Sequence, residues 1–167
     1  MAKRLFLILF FLIVALLAYY WWPEAALPKD AKVGKLVVYK AERKMEAWSG
    51  DTLLKTYAIS LGGNPTGHKQ VQGDSRTPEG LYYINDRNPN SGYHLNLGIS
   101  YPNKADRKRP GNPGGDIKIH GLKNGQGWIG KFHRWADWTD GCIAVTDDEV
   151  EELYQHVPNG APILIKP

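Results

Sequence analysis

The sequence predicts a mainly β domain, a closed or sandwich-like sheet with one short helix late in the chain. Three observations predict it. Short runs rich in β-branched and aromatic residues recur, loops rich in glycine and proline separate them, and a single stretch of the domain has the apolar spacing of an amphipathic helix. Successive strands without intervening helices favour a sheet packed or closed on itself over a parallel sheet covered by helices.

The candidate strands follow one another between residues 35 and 166. Ser49-Gly50-Asp51 separates the second run from the third and predicts a β-hairpin there. The predicted strands are Lys35–Lys40, Arg43–Trp48, Thr52–Ser60, Leu81–Ile84, Tyr93–Ser100, Ile117–His120 and Ala161–Lys166. Loops are predicted on composition at Leu61–Gly67, Gly73–Pro78 and Arg107–Gly115.

The one helix of the domain is predicted to begin after Thr146. The motif Thr146-Asp147-Asp148-Glu149 matches a capping box, in which the threonine hydroxyl accepts from the backbone and the glutamate reaches back. Pro158 and Gly160 end the helix. Its apolar face consists of Val150, Leu153 and Tyr154.

Residues 1–22 are predicted to enter a membrane. The 18 residues Leu5–Trp22 carry no charge, and a helix of that length reaches roughly 27 Å, close to the hydrocarbon thickness of a bilayer. Lys3 and Arg4 stay on the cytoplasmic side, and the aromatic residues that end the run suit the far interface. We expect an uncleaved single-pass anchor in the inner membrane with the domain in the periplasm. The alternative is a signal peptide removed after export.

The rest of the chain divides into a linker, residues 23–32, and one domain, residues 33–167. The linker is polar and contains Pro23 and Pro28, which cannot continue a helix interior. The net charge of +4 is scattered. Its densest cluster, Lys104–Arg109, lacks interleaved aromatic residues, so we expect no nucleic-acid partner. We expect a monomer.

Cys142 is the only cysteine in a chain that we expect outside the cytosol. Exported domains normally use cysteines in disulfide pairs, so a lone thiol is either a small buried apolar residue or a nucleophile. Gly141 precedes it. A glycine there permits a tight turn that leaves backbone N–H groups free to face a substrate carbonyl.

The five histidines are candidates for the base that a thiol nucleophile needs. His120 is favoured because it ends an alternating strand and Gly121 permits close approach. His133, in a loop rich in glycine and tryptophan, and His94, inside a predicted strand, remain alternatives on spacing alone. The other two histidines are less favourably placed.

Other kinds of site find little support in the sequence. There is no C-x-x-C pair and no H-E-x-x-H helix, which argues against a zinc site. No G-x-S-x-G elbow is present. Gly62-Gly63-Asn64 lacks the Gly-Lys-Ser/Thr that a phosphate loop requires. We therefore expect no metal.

The stretch Ile119–Val145 resembles the catalytic domain of L,D-transpeptidases of the YkuD type. The family's signature is a His-Gly pair, a variable insertion and Ser/Thr-His-Gly-Cys; here His120-Gly121 and Thr139–Cys142 match it. Upstream, Arg76–Tyr82 resembles the start of a family strand, and His94–Asn103 the strand that lines the substrate groove. The resemblance covers nearly the whole predicted domain.

The resemblance implies a sandwich-like mixed sheet of the L,D-transpeptidase type and a cysteine acyltransferase that acts in cell wall remodelling. Cys142 would attack the L,D bond at meso-diaminopimelate in a peptidoglycan stem peptide, release D-alanine and form a thioester. An amine from a second stem, a lipoprotein lysine, a D-amino acid or water would resolve it. His120 would be the general base, and backbone near Gly141 would hold the oxyanion. No cofactor is needed.

Two positions depart from the family pattern. Asp140 stands where the family has histidine, and we expect it to orient the imidazole or bind a cationic amine. Ala144 replaces the usual Arg or Asn two places after the cysteine, which leaves the acceptor open. Arg134 is a candidate substitute as a carboxylate contact.

Three functions remain open: a transpeptidase, a cysteine hydrolase such as an L,D-carboxypeptidase on the same scaffold, and a non-catalytic wall-binding module. The expected catalytic set is Cys142, His120, Gly141 and Asp140. The expected substrate contacts are Tyr93, His94, Tyr101, His133, Arg134, Trp138 and Thr139.

Overall fold

A computed structural model describes residues 1–167 as eight β-strands, two α-helices and two 3-10 helices. The strands are β1 (Lys35–Tyr39), β2 (Lys44–Ser49), β3 (Thr52–Ala58), β4 (Gly80–Ser91), β5 (His94–Ile99), β6 (Lys118–His120), β7 (Ile143–Ala144) and β8 (Pro162–Lys166). The helices are α1 (Ala2–Trp21) and α2 (Asp147–His156), and the 3-10 helices are Asp106–Lys108 and Gly127–Trp135, the second of which is kinked by non-helical backbone at Gly130 (φ 49°, ψ −132°).

The strands form one mixed sheet in the order β3-β2-β1-β8-β4-β5-β6-β7. The pairs β1–β8 and β6–β7 are parallel, and the other pairs are antiparallel. Just beyond β3, Ser60 bridges to Ala144 and Gly62 bridges to Thr139. These bridges join the two ends of the sheet, so it curls round on itself, which confirms the predicted mainly β fold.

The sequence did not predict two features of the strands. The segment Asn85–Ser91 reads as a polar loop, yet it extends β4 and pairs with β5, with register shifts after Ile84 and after Asn88. The two-residue strand β7 is too short for any alternating pattern. In both places a neighbouring strand supplies the hydrogen bonds that hold the backbone extended, so residue propensity does not decide the conformation.

The predicted capping box at the start of α2 is confirmed. The Thr146 hydroxyl accepts from the Glu149 backbone, and the Thr146 N–H donates to the Glu149 carboxylate at 2.9 Å. α2 packs against β5 and β6, with Val150 and Leu153 fully buried. The helix therefore supports the sheet from behind the two strands that carry the candidate site.

The segment between α1 and the domain lies along the domain surface. Leu27 is buried in the hydrophobic core, and the Val33 N–H donates to the His156 carbonyl at 3.2 Å. α1 itself contacts the 3-10 helix Gly127–Trp135. By length and composition α1 is the one helix able to cross a membrane, and this linker holds its last turn against the domain.

Candidate active site

An open cleft of about 950 Å³ lies at the β5–β6–β7 end of the sheet. Its walls are mostly polar side chains and glycines from the segments Lys69–Gly73, Asn88–Tyr93 and Asn112–Lys118. Six of the sequence-predicted site residues line it: Tyr93, His120, Trp138, Thr139, Asp140 and Cys142. The fold thus brings the only thiol and one histidine to a common surface.

The register of β6 and β7 explains this meeting. The strands are parallel, and His120 pairs with Ala144. Side chains two residues apart on extended backbone point to the same face, so Cys142, two residues before Ala144, faces the same side as His120. Asn96, on β5, pairs with His120 from the other side.

The His120 ring is held in one tautomer. Its Nδ1 lies 2.6 Å from the Gly121 carbonyl oxygen. A carbonyl can only accept, so Nδ1 carries the proton and Nε2 keeps a lone pair. Tyr93 and Trp138 flank the ring, with ring centroids 4.7 and 5.7 Å away.

Burial favours the neutral form of this imidazole. It lowers the pKa of His120, the Gly121 carbonyl partly offsets the effect, and the positive charge of Lys118 lowers the pKa further. The ring is therefore neutral at physiological pH and able to accept a proton.

The Cys142 thiol is partly buried, and its Sγ donates towards the Asp116 carbonyl at 3.6 Å. Burial raises the pKa of the thiol to about 11, because the backbone N–H of Lys118 compensates only in part and the carboxylates of Asp116 and Asp140 oppose ionisation. The thiol and the imidazole that line the cleft are consequently both neutral at rest, and thiolate forms only when a base removes the proton.

Thr139 shapes the turn that presents the thiol. Its hydroxyl donates to the Cys142 carbonyl at 2.7 Å and accepts from the Gly141 N–H at 3.1 Å. Gly141 has a φ of 126°, and a Cβ there would lie 2.5 Å from the Arg76 carbonyl oxygen. Only glycine fits this position. The N–H of Cys142 itself makes no hydrogen bond to the surrounding loops or side chains.

His94 and Tyr101 lie outside the cleft. His94 pairs through Nε2 with Glu151 at 2.6 Å on the surface of α2. Tyr101 is buried in the core, and its hydroxyl donates to the Pro113 carbonyl at 3.1 Å. Both side chains are occupied by partners distant in sequence.

His133 and Arg134 also lie outside the cleft lining. His133 is buried behind Trp138, with Nδ1 3.2 Å from the Ser60 hydroxyl. Burial lowers the pKa of His133 to about 4, helped by the charge of Arg134. The Arg134 guanidinium pairs with Glu24 at 2.7 Å and with Glu149 at 2.8 Å, so it faces the linker and α2.

Asn96 and Lys118 also line the cleft, and the sequence analysis did not name either as a site residue. Asn96 is almost fully buried, and its Oδ1 has no partner. Lys118, paired with Asp116 at 2.8 Å, lies two residues before His120 on β6. That spacing signals a common face for Lys118 and His120 and could have identified the lysine. The resemblance of His94–Asn103 to the strand that lines the family's groove covers Asn96 but does not single it out within that strand.

No group of three or more His, Cys, Asp or Glu side chains forms a cluster that could hold a metal ion. The nucleophile and the base that the cleft offers are the Cys142 thiol and the His120 imidazole, and Asp116, Lys118 and Asp140 supply charges beside them.

Comparisons with known proteins point to one family. Residues 34–165 match the model of the YkuD L,D-transpeptidase catalytic domain. YafK of Escherichia coli strain K12, classed by its name as an L,D-transpeptidase, is 31% identical over 137 residues, which are 78% of this chain and 49% of that protein. The chain thus spans about half the length of the curated relatives it matches.

Solved structures share the fold. The helical cell shape determining protein Pgp2 of Campylobacter jejuni superposes with a TM-score of 0.61 and 22% identity, over 84% of this chain and 50% of Pgp2. An L,D-transpeptidase from Mycobacterium smegmatis superposes with a TM-score of 0.55 and 16% identity, over 82% of this chain and 59% of that one.

Proposed function

The chain belongs to the YkuD family of L,D-transpeptidase catalytic domains, and from that premise we propose that it is a peptidoglycan L,D-transpeptidase acting through a thioester on Cys142. One observation carries the proposal. The only thiol, immediately before β7, and an imidazole with a free Nε2, at the end of the neighbouring strand β6, line the same open cleft.

Acylation begins with proton transfer. His120 Nε2 takes the Cys142 proton as Sγ attacks the carbonyl of the L,D bond after diaminopimelate in a stem peptide. The imidazolium then gives that proton to the departing amino group, and D-alanine leaves. A thioester between Cys142 and the diaminopimelate carbonyl remains, and His120 is neutral again.

The second half of the reaction reverses these roles. An acceptor amine from a second stem peptide loses a proton to His120 and attacks the thioester. The sulfur leaves, recovers the proton and regenerates the thiol. A lipoprotein lysine or a D-amino acid can serve as acceptor by the same chemistry.

Backbone geometry supports stabilisation of the tetrahedral intermediate. The Gly141 N–H is engaged by Thr139, whereas the Cys142 N–H is free. We assign the Cys142 N–H as a donor to the oxyanion. The shape imposed by Gly141 keeps this N–H turned away from a partner within the chain.

The cleft offers contacts for a peptide with carboxylates and amides. The unpartnered Oδ1 of Asn96 suits a substrate N–H, because leaving it bare in the complex would be unfavourable. Lys118 suits a carboxylate of diaminopimelate. Tyr93 and Trp138 form an aromatic wall beside His120.

The proposed location is the inner membrane, with α1 as a single-pass anchor and the domain in the periplasm, where stem peptides lie. The apolar length of α1 supports this assignment. The linker would keep the domain close to the end of this anchor, because Leu27 is part of the domain core and Glu24 pairs with Arg134.

A hydrolase on the same scaffold is the second candidate, and Ala144 favours it. The family usually has an Arg or Asn there, a group able to help hold an acceptor, and the cleft is open to water. L,D-carboxypeptidase activity would then release D-alanine without joining two stems.

Purified full-length protein and diaminopimelate tetrapeptide muropeptides separate these functions. A transpeptidase forms 3-3 cross-linked dimers or exchanges D-amino acids, and Cys142→Ala abolishes both. Release of D-alanine without dimers selects the hydrolase. Full activity in Cys142→Ala contradicts both enzymes, and no turnover by wild-type protein favours a wall-binding module.

A further inference from the structure

An aromatic cluster joins α1 to the catalytic domain. Phe132, in the 3-10 helix Gly127–Trp135, lies with its ring centroid 5.9 Å from Tyr19 and 5.4 Å from Tyr20. Trp135 lies 6.3 Å from Tyr19. The Tyr20 hydroxyl donates to the Trp128 carbonyl at 2.8 Å. The last turn of α1 therefore packs against this 3-10 helix.

Polar contacts hold the same junction. Arg134, inside the 3-10 helix, forms a two-pronged pair with Glu24 at 2.7 and 3.0 Å. Hydrogen bonding and charge from Arg134 outweigh burial and lower the pKa of Glu24 to about 2. Lys131 contacts the Trp22 carbonyl. A free hinge between α1 and the domain would lack these contacts.

Four indole rings remain uncovered at this junction. Trp21, Trp22, Trp128 and Trp135 are each between 65% and 75% exposed. Indole is a large apolar ring with one N–H donor, and it is enriched at the level of lipid headgroups, where one edge is apolar and the other is wet. Two of these rings belong to the end of α1 and two to the 3-10 helix.

We propose that the 3-10 helix Gly127–Trp135 docks the catalytic domain on the bilayer surface, with Trp128 and Trp135 inserted among the lipid headgroups. The proposal rests on the proposed membrane span of α1. Tyr19 is two residues from the end of α1, or roughly 3 Å along its axis. A ring packed on Tyr19 therefore lies within the interfacial layer whenever α1 spans the membrane.

Docking constrains where the enzyme works. Trp138 lines the cleft only three residues after Trp135. A docked domain consequently keeps its cleft close to the membrane surface and acts on stems within reach of that surface. A domain swinging on a flexible linker would have no such restriction.

Tryptophan quenching tests docking without added labels. Full-length protein is reconstituted in phosphatidylethanolamine–phosphatidylglycerol vesicles, with or without bromine atoms on the acyl chains near the headgroups. The variants are W21F/W22F, W128F/W135F and the quadruple variant, in which only Trp48 and Trp138 still emit. Phenylalanine keeps an aromatic ring at each position.

Docking predicts that brominated lipid reduces emission of W21F/W22F, and that the quadruple variant loses this quenching. If W128F/W135F is quenched and W21F/W22F is not, Trp21 and Trp22 reach the lipid whereas Trp128 and Trp135 do not. That result overturns docking and leaves the span of α1 intact. Absence of quenching in both double variants overturns the span as well. If the protein self-associates and Trp128 and Trp135 are not quenched, a second copy of the chain covers these rings. That result also overturns docking.

Discussion

His120 Nδ1 and the Gly121 carbonyl oxygen lie 2.6 Å apart, and this contact decides which nitrogen of the imidazole can accept a proton. Because Nδ1 donates to its own neighbour, Nε2 is left as the acceptor. Burial keeps the ring neutral and keeps the Cys142 sulfur protonated. The proposed mechanism therefore uses His120 as a general base at the moment of attack, in place of a preformed thiolate–imidazolium pair.

Replacing His120 with alanine should lower kcat/KM by roughly 10²–10⁴-fold, the usual contribution of a positioned base. In wild-type protein kcat/KM should fall at acid pH with a pKa below 6.5, because burial lowers the pKa of His120. Steady-state rates of D-alanine release across pH measure both. His94→Gln is the matched control, since His94 lies outside the cleft and should leave the profile unchanged.

Alkylation of Cys142 by iodoacetamide should be slow at neutral pH and should rise about tenfold per pH unit up to pH 10. With the thiol pKa raised to about 11 by burial, the thiolate fraction at pH 7 is on the order of 10⁻⁴. The reaction is followed by intact mass. In denaturant the curve should bend at the ordinary cysteine pKa of about 8.5. A native curve that levels off near pH 7 would contradict the assignment of a protonated resting thiol.

Thr139→Val should lower the free energy of unfolding by about 1–3 kcal/mol, because valine leaves the Gly141 N–H and the Cys142 carbonyl without a partner. It should also lower kcat/KM, since the turn that presents the thiol loosens. Thr139→Ser keeps the hydroxyl and should retain most of both. Chemical denaturation and D-alanine release provide the two readouts. Equal behaviour of the valine and serine variants would mean that the hydroxyl does not shape the turn.

Stability should decline as the pH falls from 6.5 to 4. Burial lowers the pKa of His133 to about 4, so an unfolded chain binds a proton in this window that the folded chain does not. The free energy of unfolding is therefore lower by up to about 3 kcal/mol at pH 4. His120, whose pKa burial also lowers, acts in the same direction.

Urea unfolding at several pH values measures this slope, and His133→Phe should reduce it. A free energy of unfolding that stays constant from pH 6.5 to 4 would show that His133 takes up its proton in the folded state.

Local patterns carried most of the fold prediction. The β-rich runs and the capping box at Thr146 depend on neighbouring residues alone, and the structure has strands and a helix there. The extension of β4 through Asn85–Ser91 and the short β7 depend on pairing with distant strands. The 3-10 helix Gly127–Trp135 lies in a stretch that reads as a loop rich in glycine and tryptophan, and its Phe132 packs against the distant Tyr20. No local signal exists for such features.

The candidate site likewise combines features that the sequence predicted with features that only the folded chain creates. The spacing of His120 and Cys142 marked them in the sequence, and the register of β6 and β7 brings them to one cleft. His94 and Arg134 were expected at the substrate, yet Glu151 and Glu24 engage them. The raised pKa of Cys142 arises from burial, a property of the folded chain that residue order does not display.

The most direct measurement is the mass of the enzyme during turnover of a diaminopimelate tetrapeptide stem. Rapid acid quenching followed by peptide mapping should find Cys142 carrying the stem less D-alanine, as a hydroxylamine-sensitive thioester. The adduct should be absent in Cys142→Ala. D-alanine release at the full rate with Cys142 unmodified at every time point would contradict the thioester mechanism.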